Sequence, residues 1–126
     1  MLMLDFKNAF FLDLTLVHHS NFEHMVTPML LEGETVLFAY HSLHNGVLFT
    51  THRIFLMSMV GFVDRRRDVT ALSYRRISAF SLETGKERHK DSAIEIAFKG
   101  LGKVRMEFAE RESVPALCRL LSEKTM

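Results

Sequence analysis

Seven histidines are the residues of this 126-residue chain that first suggest chemistry: His18, His19, His24, His41, His44, His52 and His89. A structural metal site needs about four converging ligands of the Cys, His or carboxylate type. His41 and His44 have an H-x-x-H spacing, but residues three apart on a strand face opposite ways. No cysteine or well-spaced carboxylate completes a set around them. His18, His19 and His24, with Glu23 among them, fall before or within a short helical segment and read as surface or interface side chains. Neither a metal nor another cofactor is expected. The single cysteine, Cys118, lies on an apolar helical stripe and reads as an inert buried thiol. Ser78 and Ser81 lack a G-x-S-x-G context. No glycine-rich phosphate loop or paired-acid motif is present. The chain therefore reads as a non-enzyme.

The arginines offer a different chemistry. Arg65, Arg66 and Arg67 are consecutive, Arg75 and Arg76 follow, and Lys86, Arg88 and Lys90 lie beyond. A basic loop at 65–67 is a candidate contact for anionic membrane lipid, although Asp64 and Asp68 flank it and favour an ordinary solvated loop. Nucleic acid is disfavoured. Sixteen basic residues against fifteen acidic leave a formal charge of only +1, and no stacking aromatics interleave with the arginines. Ser78, Ser81, Glu83 and Thr84 form a polar run that can satisfy neighbouring backbone groups or face a partner.

The elements that position these residues are mostly strands. The apolar content of 48% and charged content of 25% are ordinary globular values, and the length suits one domain. The opening run MLMLDFKNAFFLDLTLV lacks the basic start and cleavage site of a signal peptide. It is too short and too charged to cross a membrane as a helix. Residues 1–20 read as an apolar extension docking on protein, and 21–126 as the domain proper. Asn21 is a candidate helix cap, with Phe22, Met25 and Met29 at helical spacing. Gly33 suits a left-handed stop. Strands follow at 34–42, 47–50, 53–59, 68–74, 77–84, 93–98 and 104–108, with a turn expected at Asn45-Gly46. Ile94, Ile96 and Phe98 alternate with Glu95 and Lys99. Val104, Met106 and Phe108 alternate with Arg105 and Glu107, the period of a half-buried antiparallel strand. Val114, Leu117, Cys118 and Leu121 then switch to a helical stripe. Ser113 can cap that helix, and Pro115 is tolerated in its first turn.

Two strands are apolar on both faces: Val47, Leu48 and Phe49 in one, and Ile54, Phe55, Leu56 and Met57 in the next. One face of a sheet suffices for a core. The second must be covered or stay sticky, and each such side chain left in water forgoes about 1.5–3 kcal/mol. Val47, Leu48, Phe49, Phe55 and Met57 are thus candidate self-association residues, the competing cover being the chain's own first thirty residues.

Leu30-Leu31-Glu32-Gly33-Glu34, Ala39-Tyr40, Phe49-Thr50-Thr51-His52-Arg53-Ile54 and the run from Tyr74 through Ile77, Phe80 and Ser81 to Thr84 and Gly85 occur in an order that resembles the bacterial pleckstrin-homology-like domains. The match runs from about Met25 to the C-terminus. It implies a mainly β (α+β) fold, a bent seven-stranded antiparallel sheet or open barrel capped by a C-terminal α-helix, here with an N-terminal helical extension. It further implies a non-catalytic cyclic homo-oligomer, five-fold in single-domain members, with a polar surface between adjacent protomers for a protein partner. The chain departs from the pattern at the first hairpin, where His44-Asn45 replaces a common Arg-Asp. The loop from Ser42 to Gly46 also lacks the Lys and Arg with which lipid-binding members grip phosphate. Arg75, Arg76, Ser78, Ser81 and Glu83 join Arg65–Arg67 as candidate partner or lipid contacts. The lone cysteine points to a reducing, cytoplasmic setting.

Overall fold

The computed structural model describes residues 9–18, 23–60, 66–84 and 92–126. Strand β1 (Phe10–Val17) leads into a one-turn helix, α1 (Glu23–Val26), and a 3-10 turn at Thr27–Met29. Strands β2 (Val36–His41), β3 (Asn45–Thr50), β4 (Arg53–Val60) and β5 (Arg66–Ser73) follow as a meander. A second 3-10 turn (Tyr74–Arg76) connects to β6 (Ile77–Thr84), β7 (Ser92–Phe98) and β8 (Gly102–Phe108), and helix α2 (Val114–Thr125) ends the chain. The sheet order is β5-β4-β3-β2-β1-β8-β7-β6.

The seven strands expected from the sequence are all present, and β1 is an eighth. It pairs antiparallel with β2 and parallel with β8, so it joins the two halves of the sheet. The expected helical extension is therefore corrected: Phe10–Val17 is a strand of the sheet, and among the described residues ahead of β2 the α-helix is Glu23–Val26 alone. The strand was hidden because its alternation is broken. Phe11 and Leu14 are both buried although three residues apart, which a regular strand forbids. A register shift falls between them, and Asp13 adopts φ 55° there. Aspartate tolerates this left-handed conformation better than most residues, and the bulge turns Leu14 back to the core.

Two apolar layers result. The inner one lies between the bent sheet and α2, with Phe11, Leu14, Tyr40, Phe49, Ile54, Ile96, Phe108, Leu117 and Leu121 fully or almost fully buried. The helical stripe is as expected, with Leu120 also buried and Cys118 half-buried. Burial raises the pKa of the Cys118 thiol, which keeps it protonated and unreactive. The second layer is on the opposite face of the β3–β4 hairpin. Leu48, Phe55 and Met57 pack there with Ala39 and with Val26 of α1, while Met25 and Leu30 close the edges.

Two local expectations are corrected. The first hairpin turns at Leu43-His44, because the Ser42 amide donates to the Asn45 carbonyl at 2.9 Å. Asn45 and Gly46 already lie in β3, where Gly46 pairs with both His41 and Met57. Ser113 does not cap α2 with its side chain. Its hydroxyl instead donates to Glu110 Oε1 at 2.6 Å and accepts from the Tyr40 hydroxyl at 2.8 Å. Burial pushes the Tyr40 phenol up to about 12, so it remains a donor at neutral pH. Asn21 lies outside the described residues.

Candidate functional site

The self-association candidates Val47, Leu48, Phe49, Phe55 and Met57 are each 0% exposed. Val47 and Phe49 face the inner core, whereas Leu48, Phe55 and Met57 lie under α1. The second apolar face is thus covered by the same chain, and these five side chains present no surface to another copy.

Residues 29–35 are clamped onto the β3–β4 turn beside that cover. Glu34, whose side chain is fully buried, accepts from Arg53 Nε at 3.0 Å and Arg53 Nη2 at 2.8 Å. It also accepts from the Thr50 hydroxyl at 2.6 Å and the Leu31 amide at 3.0 Å. Arg53 Nη2 donates on to the Met29 carbonyl at 2.7 Å, and the guanidinium lies 4.8 Å over the Phe55 ring. Hydrogen bonding from Arg53 outweighs burial and, with Thr50 and Leu31, holds the Glu34 carboxyl down at about 2. Gly33, at φ +82°, allows the turn that brings Glu34 inward. The signal for this clamp was in the sequence: a glutamate after Gly33 and an arginine just past a two-residue turn. Their pairing across 19 residues was not legible.

The outer face of β6–β8 presents a second arginine centre. The strand registers align Phe10, Arg105, Glu95 and Ser81 in one row across four strands. Arg105 Nη1 bonds Glu95 at 2.9 Å and also Glu83, and its Nε bonds Glu107 at 2.8 Å. Lys103 lies 3.5 Å from Glu95. The Arg105 guanidinium lowers the Glu83 carboxyl pKa, and its own pKa is raised by Glu83 and Glu107. Alternating charges on facing strands were the sequence signal for this cluster.

Of the other candidates, Ser78 donates to the Ala97 carbonyl at 3.3 Å, and Ser81 and Glu83 are exposed on β6. Strand β6 is one edge of the sheet and is exposed at six of its eight positions. Strand β5 is the other edge. Arg75 and Arg76 are exposed on the 3-10 turn just after β5, and Arg66 and Arg67 open the same strand. Arg65 lies outside the described residues. Seven residue steps of strand at about 3.3 Å each put Arg66 roughly 23 Å from Ser73, so the backbone places Arg66 and Arg75 at opposite ends of β5. Among the described residues no group of three or more metal-ligating side chains converges.

A bent sheet packed on a C-terminal helix is the expected architecture, and a family model described as "Bacterial PH domain" matches residues 5–125. The chain belongs to the bacterial PH domain family. A relative in Bacillus subtilis (strain 168), the uncharacterised protein YjqA, is 30% identical over 100 residues, covering 78% of this chain and 80% of that one. A DUF1696 family protein with a pleckstrin-homology domain from Shewanella loihica PV-4 superposes with a TM-score of 0.78 at 16% identity, over 91% of this chain and 99% of that one. A PH-domain-containing protein from Exiguobacterium sibiricum 255-15 gives a TM-score of 0.66 at 17% identity, over 88% and 61%. The pleckstrin homology domain from Shewanella amazonensis SB2B gives 0.60 at 18%, over 80% and 92%. These structural likenesses concern the fold. The family match extends through β1, whereas the sequence resemblance began only near Met25. Among the described residues no helix is long and apolar enough to cross a membrane.

Proposed function

We propose that this bacterial PH domain is a non-catalytic, cytoplasmic interaction module that assembles into a closed ring of identical subunits and holds a protein partner on the polar surface between them. The observation carrying this reading is the pair of unlike open edges, β5 at one end of the sheet and the largely exposed β6 at the other. Edge strands carry unpaired backbone donors and acceptors. Joining β5 of one copy to β6 of the next is a head-to-tail contact, which forms a ring when the rotation closes. Five copies is the size the family resemblance suggests. With the β3–β4 apolar faces covered within the subunit, the edges replace them as the contact.

Ser81 and Glu83 on β6, backed by Arg105 and Glu95, then supply hydrogen-bonding groups beside each joint. Native mass spectrometry of the full chain is expected to show one oligomer of defined copy number. A monomer alone at micromolar concentration defeats the proposal. The alternative, a peripheral module using Arg65, Arg66 and Arg67 on anionic lipid, ranks second because Arg75 and Arg76 stand at the far end of β5 from Arg66 and Arg67.

A further inference from the structure

A groove of about 440 Å³ opens at the end of the barrel where the β3–β4 turn meets the last residues of β5. Its polar lining comes from Thr51, His52, Arg53, Ser73 and Arg75, with Leu31 and Ala71 as apolar walls. The hydrogen bonds already made here leave this lining donor-rich. Glu34, the nearby carboxylate, is occupied by Arg53, Thr50 and Leu31. Arg53 uses Nε and Nη2 in the clamp, and its Nη1 makes no hydrogen bond among the described residues. The Arg75 guanidinium likewise has no hydrogen bond or ion pair among the described residues. Its backbone amide donates to Ser73 Oγ at 3.1 Å, so the Ser73 hydroxyl proton is free to donate outward.

His52 is held by its neighbour. Thr51 Oγ1 accepts from the Thr35 amide at 3.1 Å and lies 2.7 Å from His52 Nδ1. That contact commits Nδ1 to Thr51 and leaves Nε2 as the ring nitrogen available to a ligand. Two guanidinium groups, an imidazole nitrogen and a hydroxyl thus meet in one groove, and the Glu34 carboxylate that Arg53 contacts is already committed. Such a set suits an oxyanion, and arginine favours phosphate in particular. The volume lies in the range of small-molecule sites, with room for an organic group against Leu31, which is 57% exposed, and Ala71. We infer that this groove is a phosphate-monoester site, in which Arg75 and His52 grip the phosphate and Leu31 borders the ester group. It lies at the opposite end of β5 from Arg66 and Arg67 and at the opposite end of β3 from the Leu43-His44 turn.

The test is a titration of the full chain with phenyl phosphate, followed by the NMR resonances of the histidine rings. A saturable shift of one ring is expected, identified as His52 by its absence in His52→Gln. Arg75→Gln is expected to weaken binding about tenfold or more, as for loss of a charge-assisted hydrogen bond. His44→Gln, in the exposed turn at the opposite end of β3, should leave binding unchanged. Sedimentation with phosphatidylcholine vesicles carrying phosphatidic acid separates the two sources of the phosphate. Capture that depends on Arg75 identifies a lipid headgroup, and phenyl phosphate binding without capture identifies a soluble ester. No saturable His52 shift and no Arg75-dependent capture, or binding that both Arg75→Gln and His52→Gln leave intact, overturns the inference.

Discussion

Arg53 and Arg105 each gather carboxylates, but in different surroundings. Arg53 meets one, Glu34, whose side chain is fully buried and has four protein donors around it. Arg105 meets three on the open face of a sheet, with Glu83 exposed and Glu107 and Glu95 part-exposed. The larger cluster is expected to matter less for stability. Water screens exposed pairs and leaves each with about 0–1 kcal/mol, whereas removing one partner of a buried pair strands a charge without solvent. The difference also separates roles. The Arg53 clamp holds residues 29–35 beside an apolar layer, while the Arg105 face stays open to solvent.

The largest effect should come from the layer beside the clamp. Phe55→Ala is expected to cost about 3–5 kcal/mol, measured by urea denaturation, since Phe55 is completely buried in the second layer. A cost below 1 kcal/mol would mean that α1 does not stay on the sheet. Next comes Glu34→Gln, expected to cost about 3 kcal/mol or more and to alter acid stability. The Glu34 carboxyl is lowered from 4.5 to about 2. Its folded pKa is below the unfolded one, so its contribution is present above about pH 4.5 and is lost as the pH falls towards 2. Denaturation midpoints measured down this range should drop more steeply for the native chain than for the variant. The smallest effect belongs to Arg105→Gln, expected within about 1 kcal/mol and further reduced in molar salt. A cost matching that of Glu34→Gln would erase the contrast between the two centres.

The strands with clean alternation were readable residue by residue. Ile94, Ile96 and Phe98 on β7 and Val104, Met106 and Phe108 on β8 all point inward. The double-sided apolar character of β3 and β4 was equally legible, because Leu48 and Phe55 have no polar counterpart on the second face. Which body covers that face could not be read. A helix of only four residues carries the cover, and its key side chain is the single buried Val26. Strand β1 was obscured by its own bulge at Asp13, and the first turn by an Asn-Gly pair that the ladder uses as ordinary strand. Of the candidate site, the polar residues of β6 were singled out by type. The Arg105 cluster and the groove at Arg75 depend on registers and turn contacts between segments far apart in sequence.

Self-association through the two open edges is tested most directly by sedimentation velocity at micromolar concentration, comparing the native chain with the double variant Ser81→Lys/Leu82→Lys. Both side chains are exposed on β6, and charged residues on an edge strand oppose pairing. The native chain should sediment as one species at a whole multiple of 14.6 kDa, and the variant should fall to 14.6 kDa while keeping its fold. A native chain that stays at 14.6 kDa, or a variant whose assembly is unchanged, would contradict assembly through β6.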